Sequence, residues 1–168
     1  MQRAFWISLT CAMGLYLLMV FWSIPFVAYE AGGQVPFDMR PMGYGLDEAR
    51  SFLQALTAEG RSFYLGTQLK LDLVYPALLG LSLILGLQLV IRQPWSTAFG
   101  VVALMATASD YFENFLISVM LHTPVDEIDE ATVQVASFLT LSKSIGHTVC
   151  FVALLTGAMF RLGRRLLR

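Results

Sequence analysis

Four stretches of this chain are long and apolar enough to be read as membrane-crossing helices, and this limits the fold more than any motif does. They run from about Phe5 to Tyr29, about Thr67 to Ile91, Trp95 to Leu121 and Thr132 to Phe160. Each exceeds the roughly 20 mostly apolar residues that carry a helix across about 30 Å of hydrocarbon. Hydrophobic residues make up 57% of the 168 and charged residues 14%. An ordinary soluble domain has about 25% charged residues, and one this small could not hide so much apolar surface from water. The expected fold is therefore an all-α integral membrane protein with a single membrane domain over residues 1–168. It should form an antiparallel bundle of four transmembrane helices, with a short amphipathic helix in the first extracytoplasmic loop.

The first stretch follows Arg3 and is followed by the small residues Ala28 and Ala31, as a signal peptide would be. Its apolar core is about twice the usual signal length of 7–15 residues, so it reads as a retained helix. Orientation follows from the basic residues at the helix ends. Arg3, Arg92, Arg161, Arg164, Arg165 and Arg168 fall on one side with no acidic residue among them. The other side carries Asp38, Asp47, Glu48 and Glu59, against Arg40, Arg50 and Arg61, and the acidic turn Asp126-Glu127-Ile128-Asp129-Glu130. Both termini are thus expected in the cytoplasm, and the compact loops suggest a bacterial inner (cell) membrane. Arg92-Gln93-Pro94 joins the second and third stretches into a tight hairpin. In the first outer loop, from about Glu30 to Gly66, Ala49, Phe52, Leu53 and Leu56 recur at i, i+3, i+4 and i+7. That spacing predicts a short amphipathic helix ending near Gly60, lying on the membrane surface or across the mouth of the bundle.

The ionisable residues within the spans carry most of the functional information. Charge near the bilayer centre is costly, so such residues usually face the bundle interior and pair. Counting about 1.5 Å per residue from the basic ends puts Asp72 at roughly 30 Å, and Asp110 and Glu113 at roughly 22 and 27 Å. His147 and Lys143 fall at roughly 21 and 27 Å, so all five share one slab in the outer half. At about 100° per residue, Thr107, Asp110, Asn114 and Ser118 share one face of the third helix, with Glu113 at its edge. Ser137, Thr140, Lys143, Ser144 and His147 share a face of the fourth, and Gln68, Asp72, Tyr75 and Ser82 one of the second. Pro76 leaves the carbonyl near residue 72 without its helical partner, so a neighbouring side chain or water must satisfy it.

Two readings of this slab stand side by side. One is a salt-bridge network of Lys143 and His147 with Asp110 and Glu113 that fixes helix register. The other is a polar site that binds, and as an enzyme would transform, a lipid-like or amphipathic small molecule. In the second, Asp110 and Glu113 are the proton donor and acceptor, and Asp72 a counter-ion. His147 is then a relay, and Tyr75, Phe112 and Phe115 the apolar walls. Gln68, Asn114, Thr140, Lys143 and Ser144 complete the ligand-binding set. Asp110, Glu113 and His147 also resemble a metal-ligand set, but the neighbouring Lys143 would repel a cation, so no metal is expected. No cofactor motif is present. Cys11 and Cys150 lie in different spans without a CxxC, and read as packing residues. No basic patch interleaved with aromatics supports nucleic-acid binding.

Membrane lipids are the expected surroundings, with a homo-oligomer or a larger membrane complex as further partners. A structural subunit of such a complex is the alternative function. The pairs Ser82/Gly86 and Ser142/Gly146 would then allow close helix contact. A transporter or proton channel ranks lower, because the basic halves of the helices are almost wholly apolar apart from Gln88 and Thr10. The layout of four helices, a long first outer loop and acidic residues in the outer halves is similar to that of the emopamil-binding and sigma-two receptor type. The resemblance is one of layout, and it implies a sterol isomerase or a binder of hydrophobic amines.

Overall fold

Lipid offers no hydrogen bonds, so a chain crossing it must satisfy its backbone internally, as an α-helix does. The computed structural model describes residues 1–166; Arg168 and the side chain of Arg165, both counted among the basic residues above, lie outside what is described. Among the described residues the protein is 86% helical with no strands, in five helices. These are α1 (Gln2–Glu30), α2 (Leu46–Ala55), α3 (Ala58–Val90), α4 (Trp95–His122) and α5 (Glu130–Leu166). Single 3-10 turns at Phe37–Met39 and Val125–Glu127 interrupt the connections.

Among the described residues three helices are long and apolar enough to cross a membrane: α1, α3 and α5 over Glu130–Arg164. Their outer surfaces expose Phe21, Leu81, Phe138, Leu155 and Phe160, as chains solvated by lipid do. The expected four spans are thus matched in three. The helix left over is α4, whose 28 residues have ample length at about 1.5 Å each but whose apolarity is lowered by Asp110, Glu113 and Asn114. It packs between α3 and α5.

Local chemistry sets the helix boundaries. Glu48 Oε2 accepts from Gly45 N at 2.8 Å to start α2, and Asp129 Oδ2 accepts from Thr132 N at 3.1 Å to start α5. Thr57 Oγ1 accepts from Gly60 N at 3.0 Å to start α3. This corrects two expectations: the second long helix begins at Ala58 rather than about Thr67, and Gly60 lies in its first turn instead of ending the amphipathic helix. Gly60 packs on Glu30 and Leu56, where any side chain would collide. The amphipathic face holds as read, with Ala49, Phe52, Leu53 and Leu56 buried, and it lies across the bundle against Tyr64, Ile117, Leu121 and Val133.

Two π-helical turns, Met19–Ser23 in α1 and Tyr64–Gln68 in α3, pack against each other. Such turns insert a residue into a helix and recur at functional sites. The small pairs are used within the chain. Gly86 faces Phe5 and Leu154, and Gly146 packs on Ala106. Cys150 is buried with its Sγ 3.4 Å from Phe99 O, whereas Cys11 is exposed, contrary to its reading as a packing residue.

The interior is banded along the helix axes. One apolar core joins Val27, Phe37, Phe52, Tyr64, Ile117 and Val133 at the loop end. A second joins Leu79, Leu83, Leu87, Ala103 and Cys150 towards the other end. On α3, α4 and α5 alike, the polar residues fall between the two cores in sequence.

Candidate functional site: a polar layer between two apolar cores

The layer is built from α4 and α5 first. Lys143 Nζ sits 2.9 Å from Asp110 Oδ1 and 2.6 Å from Glu113 Oε2, bridging two carboxylates one turn apart. Glu113 is 0% exposed, and its Oε1 accepts from Thr140 Oγ1 at 2.8 Å. The ammonium thus lies between the two carboxylates. Ionising buried carboxylates without such a partner would cost several kcal/mol each.

From α4 the network passes to α3. Asn114 Nδ2 donates to Asp110 Oδ1 at 3.5 Å and to the backbone carbonyl of Asp72 at 3.3 Å. That carbonyl is the one Pro76 leaves free, so the proline and the asparagine are matched across the helix pair. Tyr111 donates its hydroxyl to the next carbonyl, Leu73 O, at 2.9 Å. Gln68 Nε2 donates to Asp72 Oδ2 at 2.8 Å, and Gln68 is 1% exposed.

Of the residues expected in the site, the structure brings together Gln68, Asp72, Asp110, Glu113, Asn114, Thr140 and Lys143. His147 lies one turn beyond Lys143 and pairs with neither carboxylate; its Nε2 is buried without a partner. Ser144 Oγ donates to Thr140 O at 2.7 Å and so turns back on its own helix. Tyr75 is partly buried and stacks on Tyr16 at 6.0 Å between ring centroids. Phe112 and Phe115 are 65% and 64% exposed, and they face outward instead of walling the site.

The first loop supplies what sequence reasoning missed. Gly43 has φ +85°, a conformation that favours glycine, and a Cβ there would strike Ser137 Oγ. The turn it makes lets Tyr44 N donate to Ser137 Oγ at 2.8 Å, which pins the loop to α5. Arg40 lies over the rings of Phe37, Tyr44 and Phe52 at 5.8 Å each. Arg50 donates to Ile128 O at 3.2 Å, and Arg61 to Leu53 O at 3.2 Å and to Leu121 O. The loop arginines thus close on backbone carbonyls instead of the loop acids.

The loop carries Asp38 inward to accept from Tyr64 OH at 2.6 Å, while Asp38 Oδ1 is enclosed with no partner. Burial pushes the Asp38 carboxyl above its ordinary value, Lys143 and the Tyr64 hydroxyl draw it back, and Asp110 adds to the rise. Burial, then the charges of Glu113 and Asp38, hold the Tyr44 phenol above its ordinary value. Both loop side chains therefore belong to the same layer. The one available signal was composition: Asp38 stands beside Phe37 and near Tyr44, which the structure buries, while the neighbouring Val35, Met39 and Met42 are exposed.

Around these groups several buried polar atoms have no partner: Asp38 Oδ1, Tyr44 OH, Gln68 Oε1, Asn114 Oδ1 and His147 Nε2. Native interiors hold few such atoms, and each costs on the order of 1–3 kcal/mol when unmet. Here they collect in one layer with four carboxylates and one ammonium. No protein-family model, no curated protein and no solved structure matches this chain, so the likeness of layout to the emopamil-binding type gains no support from relatives.

Proposed function

We propose that this chain is a four-crossing membrane protein whose polar layer binds the head of an amphipathic or lipid-like small molecule. In this reading α4 crosses with α1, α3 and α5, and its acidic residues are shielded by Lys143 on one side and α3 on the other. The basic end lies in the cytoplasm, and the first loop faces outward over the layer. A bacterial inner membrane suits this arrangement.

The observation that carries the reading is the collection of unpartnered buried polar atoms around Asp72, Asp110 and Glu113. Register could be fixed by the Lys143 bridge alone, without leaving Gln68, Tyr44 and His147 unmet. Four carboxylates against one ammonium favour a head that brings positive charge or donates hydrogen bonds, such as an amine or an alcohol. Asp110 and Glu113 would hold that head, with Asp72 as counter-ion and Gln68, Asn114 and Thr140 orienting it. Acid–base chemistry by the same carboxylates follows only if the bound molecule has a labile proton beside them.

Native mass spectrometry of the gently extracted protein tests this. A stoichiometric amphiphile is expected, and its occupancy should fall at least tenfold in Asp110→Asn or Glu113→Gln while the melting temperature shows the variants still folded. A stoichiometric protein partner with no small molecule would instead make the chain a structural subunit and overturn the reading.

A further inference from the structure

A second site lies at the end of the bundle away from the loop, separated from the polar layer by the apolar core of Leu79, Leu83 and Leu87. There the end of α3, the beginning of α4 and the last turns of α5 enclose an open groove of about 1170 Å³. Its walls are apolar, chiefly Phe99, Val149, Val152 and Phe160. Arg92, Arg161 and Arg164 line it together with Met1, and among the described residues no carboxylate does. Arg161 is held in place by donating to Leu89 O, one of the carbonyls that α3 leaves open at its end. Among the described residues, Arg92 and Arg164 have no acidic partner.

This combination selects one class of occupant. Pockets for drug-sized molecules span about 300–1,000 Å³, whereas this groove, at about 1170 Å³, is somewhat larger, is open, and is flanked by exposed apolar side chains such as Val152 and Leu155. An acyl chain can lie along such a wall while its head stays at the helix ends. Three guanidinium groups without carboxylates match a phosphate better than a neutral or zwitterionic head, because arginine's fork of N–H donors fits phosphate oxygens in pairs.

We infer that this groove binds an anionic phospholipid, its phosphate held by Arg92, Arg161 and Arg164 and one acyl chain lying against Phe99 and Val152. The site is independent of whatever the polar layer binds. It gives the protein a preference for a particular lipid at one face of the membrane.

The test is native mass spectrometry of the full-length protein, delipidated and titrated with phosphatidylglycerol or phosphatidylcholine. Phosphatidylglycerol should bind about tenfold or more tightly than phosphatidylcholine. The double variant Arg92→Gln/Arg164→Gln should erase that preference, at about fivefold for each arginine. Arg161 is left intact because it also closes the end of α3. Val152→Trp, at an exposed position, should weaken both lipids by filling the chain's path while leaving the arginines alone. Equal binding of the two lipids by the wild type, or a double variant that keeps its preference, would overturn the inference. Displacement of phosphatidylglycerol by inorganic phosphate at comparable concentration would also overturn it, by showing a site for a free anion.

Discussion

Asp38 uses its two oxygens unequally, one taken by Tyr64 and the other enclosed without a partner, and its pH behaviour follows from that. Because burial raises its value in the folded protein, it contributes most stability while protonated. That contribution is present below the ordinary carboxyl value and is lost as pH rises through the raised one. Asp38→Asn keeps an acceptor for Tyr64 and removes the charge. As pH climbs above the ordinary carboxyl range, the wild-type melting temperature in detergent should fall relative to the variant's. Parallel curves at every pH would show that Asp38 is not buried against the layer. Asp110, Glu113 and Lys143 were legible in the sequence because helices convert spacing into depth and direction. Asp38 and Tyr44 were not, since a loop has no period to aim a side chain. Phe112 and Phe115 were misplaced for a different reason: at about 100° per residue they fall opposite Asp110 and Asn114, so the rule that placed the acids excludes the rings.

The helix pair α3–α4 comes close at Gly80, which passes Thr107 so tightly that a Cβ would overlap the hydroxyl. Gly80→Ala gains intrinsic helix propensity worth about 0.5–1 kcal/mol, yet it forces the helices apart at a cost of about 1–3 kcal/mol. The net expectation is a loss of stability, seen as a lower melting temperature, which Thr107→Ala restores in the double variant. Were the double variant no better than Gly80→Ala alone, the contact would not be what limits the approach. Asn114 lies two turns from Thr107, so the same separation should also loosen its hydrogen bond to the Asp72 carbonyl on α3. Helix ends were the least legible part of the fold. Gly60 resembles a terminator by composition, but Thr57 just before it caps a new helix, and a side-chain hydrogen bond outweighs glycine's weak preference.

In the whole molecule, the number of crossings decides where the ends lie. If α4 crosses with α1, α3 and α5, the two termini share a compartment; with three crossings they are on opposite sides. Reporter fusions at Met1 and after Leu166 should therefore report the same side, and opposite sides would remove α4 from the membrane. The apolar spans were readable from their length, because lipid demands so many consecutive apolar residues. The amphipathic helix of the outer loop was readable too, but the docking of the segment before it was not, because that depends on contacts such as Gly43 on Ser137 that lie far apart in the chain. The Lys143 bridge also bears on how the protein is made. If α4 crosses, each acidic residue opposes its insertion, by roughly 2.5–3.5 kcal/mol at the bilayer centre and less in the outer half, and the ammonium that offsets Asp110 and Glu113 belongs to the helix synthesised after them. In that four-crossing arrangement a nascent chain halted before Glu130 should hold α4 poorly in the bilayer, continued synthesis through Lys143 should draw it in, and the last two helices would enter as a couple.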